Sequence, residues 1–275
     1  MKSEFKSFAC QLRIEALRMV HRARSSHIGG ALSMADILAV LYGPGGRLRV
    51  KPTDPFWKGR DRFILSKGHA CAGIYAALAL RGFISMEELM TFAQSGSLLM
   101  SHASHKVAGI ELSTGSLGHG LPVGCGLALG AKRSNEPWRT VVLLSDGEMD
   151  EGSNWESFLF APQHRLDNLW ALIDANGIQS LGTVPEVLDI EPLADKLRAF
   201  RWSVIEVDGH DLEALYRVLD LDHPPEPGRP TVVIARTIKG KGVPLMENRL
   251  EWHYKSPSDA QLTAAIAILE STCHA

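Results

Sequence analysis

Apolar residues recur along this chain in two alternating patterns. Five short runs are almost continuously apolar: Arg62–Leu65 (RFIL), Thr140–Leu144 (TVVLL), Leu169–Ile173 (LWALI), Trp202–Val207 (WSVIEV) and Thr231–Ala235 (TVVIA). Runs this short, rich in β-branched residues and bounded by turn formers, predict strands buried on both faces. Between and around them lie segments of helical period: Ser3–Arg22, Ser33–Tyr42, His69–Arg81, Leu121–Lys132, Gly152–Ala161, Pro192–Phe200, Leu212–Leu219 and Ser258–Ser271. Strands alternating with helices predict an α/β fold, a mostly parallel sheet with helices on both faces. The Pro-rich stretch His223–Gly228 is too short to divide domains and reads as a loop before the last strand, so residues 1–275 are expected to form a single domain. In such sheets ligands bind beyond the carboxyl ends of the strands. The residues that follow each strand are therefore the ones to read for chemistry.

Composition narrows the choice. Hydrophobic residues make up 45% and charged residues 22% of 275, the balance of a folded chain. Lys and Arg number 29 against 31 Asp and Glu, a net charge of −2, which argues against nucleic acid as a partner. No apolar run approaches the roughly 18–20 residues that a membrane helix needs. The amphipathic N-terminal segment lacks the solid apolar block of a secretory signal, and Glu4 and Glu15 weigh against a transit peptide. Cys10, Cys71, Cys125 and Cys273 are far apart, with no metal-finger or redox spacing, so unpaired thiols and a cytoplasmic location are expected.

The strand ends carry polar residues of a particular kind. TVVLL is followed by Ser145-Asp146-Gly147-Glu148, and LWALI, about thirty residues further on, by Asp174-Ala175-Asn176-Gly177-Ile178. Asp-Gly and Asn-Gly are each common turns. Both together, on consecutive strands, place a carboxylate beside an amide, a donor set suited to a hard cation such as Mg²⁺ or Ca²⁺ shared with diphosphate oxygens. Of the 11 histidines, four stand in unusual surroundings: His27 in SSHIGG, His69 in SKGHA directly after RFIL, His102 in MSHAS and His253 in EWH. Imidazoles at strand tips can donate to phosphate or move protons near neutral pH.

The Asp-Gly…Asn pair resembles the thiamine-diphosphate motif, usually Gly-Asp-Gly…Asn-Asn, with Ser145 and Ala175 as departures. Taken in order, SSHIGGALS, SKGHA, the Ser101-His102 region, STGSLGHG (Ser113–Gly120), SDGE…DANGIQ, TIKGKGV (Thr237–Val243) and MENRLEWH (Met246–His253) resemble the N-terminal half of transketolase. The resemblance implies a thiamine-diphosphate-binding fold from about residue 10 to about 255. It implies that His69, Gly147, Glu148, Asn176 and His253 serve the cofactor's diphosphate end, with Gly115 and Leu117 against its rings. Asp146, Asn176 and the Ile178 carbonyl would hold Mg²⁺ or Ca²⁺. His27 and His102 would be the catalytic pair facing the donor sugar. The family's Gly-His-Pro is Ser101-His102-Ala103 here, and His105 competes with His102 for that role; His119 stands where a Gln is common.

A whole transketolase is much longer and contains a pyrimidine-binding domain whose Glu activates the cofactor. The resemblance therefore implies the N-terminal subunit of a split enzyme, working as α₂β₂ with a separate C-terminal subunit. Together they would move a two-carbon ketol unit from a ketose (phosphate) to an aldose. Two alternatives stay open: the equivalent subunit of a 2-oxo acid dehydrogenase or deoxyxylulose-phosphate-synthase-like enzyme, and a non-catalytic scaffold. A nucleotide-binding Rossmann protein is disfavoured because no G-x-G-x-x-G follows the first strand. The small-residue segment Leu117–Gly130 is expected to be a helix that packs closely, either inside the core, beneath the cofactor or at a subunit contact.

Overall fold

The structure, a computed structural model, describes residues 2–273. The strands are β1 (Arg62–Leu65), β2 (Thr140–Ser145), β3 (Leu169–Ala175), β4 (Ser203–Asp208) and β5 (Thr231–Arg236). They form one sheet in the order β1-β2-β3-β5-β4, parallel throughout. Each lies within two residues of its sequence-predicted limits. The helices are α1 (Lys2–Ala23), α2 (Ile28–Ser33), α3 (Ala35–Tyr42), α4 (Cys71–Arg81), α5 (Met86–Leu89), α6 (Gly120–Arg133), α7 (Gly152–Gln163), α8 (Val184–Val187), α9 (Leu193–Ala199), α10 (Leu212–Val218) and α11 (Asp259–Cys273).

Successive side chains of a strand point to opposite faces, and the core divides accordingly. Val141, Leu143, Leu172 and Val233 join α1, α3, α4 and α10 on one face. Val142, Leu144, Ile173 and Ile234 join α6, α7 and α9 on the other. This two-sided burial is why β2, β3 and β5 read as unbroken apolar runs, while β4 at the sheet edge is only partly buried. Among the described residues no helix is long and apolar enough to cross a membrane.

Three sequence expectations change. The helix expected over Ser33–Tyr42 begins at Ala35 as α3, and a further helix that was not expected, α2, precedes it, with Met34 between them. Helix α2 was hidden by Gly29 and Gly30, poor helix formers whose cost is met by complete burial. The Gly-rich α6 serves both kinds of surface. A Cβ on Gly124 would sit 2.5 Å from Val142 Cγ2, so that face is pressed on β2, whereas Gly126 and Gly130 face open space. Finally, Cys10 and Cys273, expected as unpaired thiols, are joined in a disulfide with their Cα atoms 6.0 Å apart. Sequence distance concealed this because α11 returns to pack along α1. Cys71 and Cys125 are free and buried.

Candidate active site

The parallel register places Ser145 opposite Asp174. The turns leaving β2 and β3 therefore emerge side by side, and that leaving β1 lies next to them. Asp146 caps a short 3-10 turn, accepting from Gly147 N at 2.8 Å and, through its other oxygen, from Gly177 N at 2.5 Å. Asn176 Oδ1 accepts from Ile178 N at 3.2 Å. Beneath them Asp174 is fully buried and gathers Lys67, Ser33 (2.5 Å) and Thr237. Burial alone would raise its pKa. The Lys67 ammonium, with the two hydroxyls, instead holds it below the ordinary carboxylate range.

Above this floor is a cavity of about 300 Å³, the lower end of the range for ligand sites. Its wall includes His27, His69, His102 and His253 together with Asp146 and Asn176. Gly115, Leu117, Gly147 and Ile178 also contribute. Ten of the eleven candidate site residues therefore meet in one place. The eleventh, Glu148, is displaced from the wall: it is fully buried, and its carboxylate accepts from Ser66 and from Gly118 N at 2.9 Å. It braces the STGS loop against the β1 and β2 turns instead of facing a ligand. His105 is exposed and bonded to Ser113 Oγ at 2.7 Å, so His102 is the histidine at the cavity. His119 is exposed and lies by the Leu117 carbonyl.

The imidazoles are crowded. The His27 ring lies 4.9 Å from that of His253, 5.0 Å from His69 and 6.2 Å from His102. His27 holds a left-handed backbone at φ +68°, uncommon for a residue with a side chain and retained where surrounding structure enforces it. Its N–H donates to His253 O at 2.8 Å. Its Nδ1 is buried with no hydrogen-bond partner among the described residues, a polar atom free to meet a ligand. Burial first, then His102 and Lys239, bring its pKa down to about 4. Burial and Lys239 bring His253 to about 3, and burial with His27 holds His69 well below the usual value. These three rings are neutral near pH 7.

Sequence reading missed the two lysines. Lys67 is absorbed by Asp174. Lys239 is 3% exposed; its Nζ donates to Ile178 O at 2.9 Å and lies 2.9 Å from His253 Nδ1. A cation placed against a carbonyl and an imidazole retains charge for an anion. Burial lowers its pKa to about 8. The only signal in the sequence is its place between Ile238 and Gly240, where an apolar flank and a glycine turn suggest a buried stem.

The residues fit a hard cation. Asp146, Asn176 Oδ1 and Ile178 O offer one carboxylate, one amide and one carbonyl oxygen. The carbonyl already faces a positive charge, the Lys239 ammonium. Burial and then Asp174 raise the Asp146 pKa to about 6, so this carboxylate gains from any cation that keeps it ionised. Among the described residues no three His, Cys, Asp or Glu side chains form a metal cage, so the remaining ligands would come from the bound molecule.

A family profile described as "Transketolase, thiamine diphosphate binding domain" matches residues 5–267. One subunit of the apulose-4-phosphate transketolase of Phocaeicola vulgatus is 40% identical over 255 residues, 92% of this chain and 89% of that one. A 6-deoxy-6-sulfo-D-fructose transketolase subunit of Clostridium is 37% identical, over 94% of each chain. The transketolase of Campylobacter jejuni superimposes with a TM-score of 0.91 at 30% identity, covering 98% of this chain and 43% of that one. With profile, relatives and fold in agreement, the chain belongs to the transketolase family and carries that family's thiamine diphosphate binding domain.

Proposed function

We propose that residues 1–275 form one thiamine-diphosphate-binding domain acting as the N-terminal subunit of a split, cytoplasmic transketolase. The observation that carries this is the single cavity at the ends of β1, β2 and β3, where four histidines face Asp146, Asn176 and the Ile178 carbonyl. Coverage supports the split: relatives named as subunits are matched over 89% and 94% of their length, the human transketolase over 39%.

Thiamine diphosphate, when bound, supplies the carbanion chemistry. Asp146, Asn176 and Ile178 O would hold Mg²⁺ or Ca²⁺ against the diphosphate. Lys239, His69 and His253 would meet its remaining oxygens, with the Gly147 backbone beside them, offsetting charge that a chain of net −2 does not attract at long range. Gly115 and Leu117 would lie against the rings. A Cβ at Gly115 would come within 3.0 Å of His102 Cδ2, so the glycine also seats that imidazole. His27, neutral and with Nδ1 unpartnered, would accept or return a proton at the donor sugar's oxygens, and His102 would act beside it.

The partner would bring the pyrimidine end of the site, in an α₂β₂ assembly. The groove between α6 and α7, lined by Gly126 and Phe160 among others, offers an open small-residue face for association. Both subunit relatives are named for ketoses bearing an anionic group, a phosphate or a sulfonate, and a donor of that class is proposed here.

The test is ketol transfer from a ketose phosphate to an aldose, with thiamine diphosphate and Mg²⁺, by this chain and a pyrimidine-domain subunit. Turnover is expected only with both present, and lost in Asp146→Ala. Full turnover by this chain alone, or a preference for pyruvate as donor, would overturn the reading.

A further inference from the structure

Behind the cavity wall, a second set of buried polar groups ends on the loop that carries Lys239. Arg13 and Asp36 are 7% and 6% exposed and form a two-pronged pair at 3.2 and 2.5 Å. His210, in the turn after β4, has Nδ1 2.7 Å from Asp36 Oδ2. Its Nε2 receives the Ile238 N–H at 2.8 Å. An N–H can only donate, so Nε2 is the bare nitrogen and the ring proton sits on Nδ1, donated to Asp36. One tautomer satisfies both partners, and Asp36, anchored by Arg13, selects it.

The neighbouring amides of this loop are tied to backbone: Thr237 N to Ala175 O at 3.1 Å and Gly240 N to Gly29 O at 3.0 Å. Ile238 N instead depends on a side chain. The next residue is Lys239, whose stem runs over Gly29, where an added Cβ would lie 3.0 Å from Lys239 Cγ. The loop is thus pinned on both sides of the lysine, on one side by His210.

We propose that His210, oriented by Asp36 and Arg13, is a positioning residue that fixes the Ile238–Lys239 peptide and so holds the Lys239 ammonium at the diphosphate end of the site. The inference rests on the cofactor reading above. Two substitutions separate its halves. In His210→Asn the side-chain amide replaces Nδ1–H toward Asp36 and leaves Ile238 N unpaired. In His210→Gln the longer side chain carries an oxygen to the Nε2 position and gives up Asp36.

Hydrogen exchange of the peptide spanning 236–245, in the full chain without ligand, is expected to quicken in His210→Asn and stay near wild type in His210→Gln. Calorimetric affinity for thiamine diphosphate with Mg²⁺ and the partner subunit should fall about two- to ten-fold in His210→Asn, the effect of one neutral hydrogen bond. It should recover in His210→Gln. In a Lys239→Met background, His210→Asn should weaken binding no further. Equal loss in both variants would make His210 a packing residue for Asp36, and unchanged exchange in both would remove the role. Failure of the wild-type assembly to bind cofactor would overturn the functional reading, while the ligand-free exchange measurement would still judge the positioning.

Discussion

Replacing Asp174 by alanine tests the floor of the site. The Lys67 and Asp174 side chains are 1% and 0% exposed. The substitution leaves a buried ammonium with only the Gly30 carbonyl at 3.3 Å, removes the acceptor of Thr237 and takes one of two acceptors from Ser33. Breaking a buried ion pair from one side costs about 3–5 kcal/mol. The two hydroxyls lose a shared partner, so their losses do not simply add. Unfolding entropy near 2.1 cal/mol/K per residue gives about 0.58 kcal/mol/K for this chain, so Tm should fall by about 5–9 °C. Scanning calorimetry on the ligand-free chain measures this directly. Asp174→Leu combined with Lys67→Met removes both charges and should recover most of the loss, because the cost of holding a charge away from water goes with them. A Tm within about 2 °C of wild type for Asp174→Ala, or a double variant no more stable than the single one, would refute the account. Loss of Asp174 should also let the Asp146 pKa drop, since Asp174 is the second cause of its elevation after burial.

Acid should destabilise the ligand-free chain in a defined window. An unfolded histidine takes up its proton near pH 6.5, whereas folded His27 waits until about 4 and His253 until about 3. The unfolded state thus binds more protons between these values, so stability is full above pH 6.5 and is lost progressively toward pH 3–4. Urea midpoints at pH 7.5 and 5 should show it, and His27→Asn with His253→Asn should flatten the slope. Gly68→Ala would drive a Cβ to 2.4 Å from Thr114 O, so the turn carrying His69 must shift; a loss of about 1–3 kcal/mol is expected in denaturant unfolding. Gly126→Ala meets open space within α6 and should stabilise the isolated chain by up to about 1 kcal/mol, while sedimentation should show weaker association with the partner if that face is the contact.

Much of this was legible in the chain. The inner strands were visible because both their faces are buried, so apolar residues run unbroken, as in Val141–Leu144, whereas the edge strand β4, with Glu206 exposed, was visible through its Val and Ile residues. The four histidines and the Asp146–Asn176 pair were visible because strand ends are where parallel sheets place chemistry. What escaped was settled by tertiary distance. Lys67 and Lys239 are two such residues: only the fold shows one cancelled by Asp174 and the other placed against a carbonyl. Glu148 looked like a ligand for its neighbourhood, yet its carboxylate turns inward to Ser66 and Gly118. His102 and His105 are separated by orientation alone. The pairing of Cys10 with Cys273 depended on how the first and last helices meet.

The cavity wall draws on segments from His27 to Tyr254, so no short contiguous fragment of the chain contains it. A nascent chain therefore has nothing to bind until nearly all of it has emerged and the sheet has closed; capture of a cofactor follows folding and cannot template it. The reverse also holds. A ligand seated where β1, β2, β3 and β5 come together acts as a clasp on every segment that supplies the wall, and at a hundred times its Kd it shifts the folding equilibrium by about 2.7 kcal/mol. Resistance to proteases should then rise along the whole length of the chain, at sites remote from the cavity as much as at its rim, wherever cleavage requires the cavity to come apart.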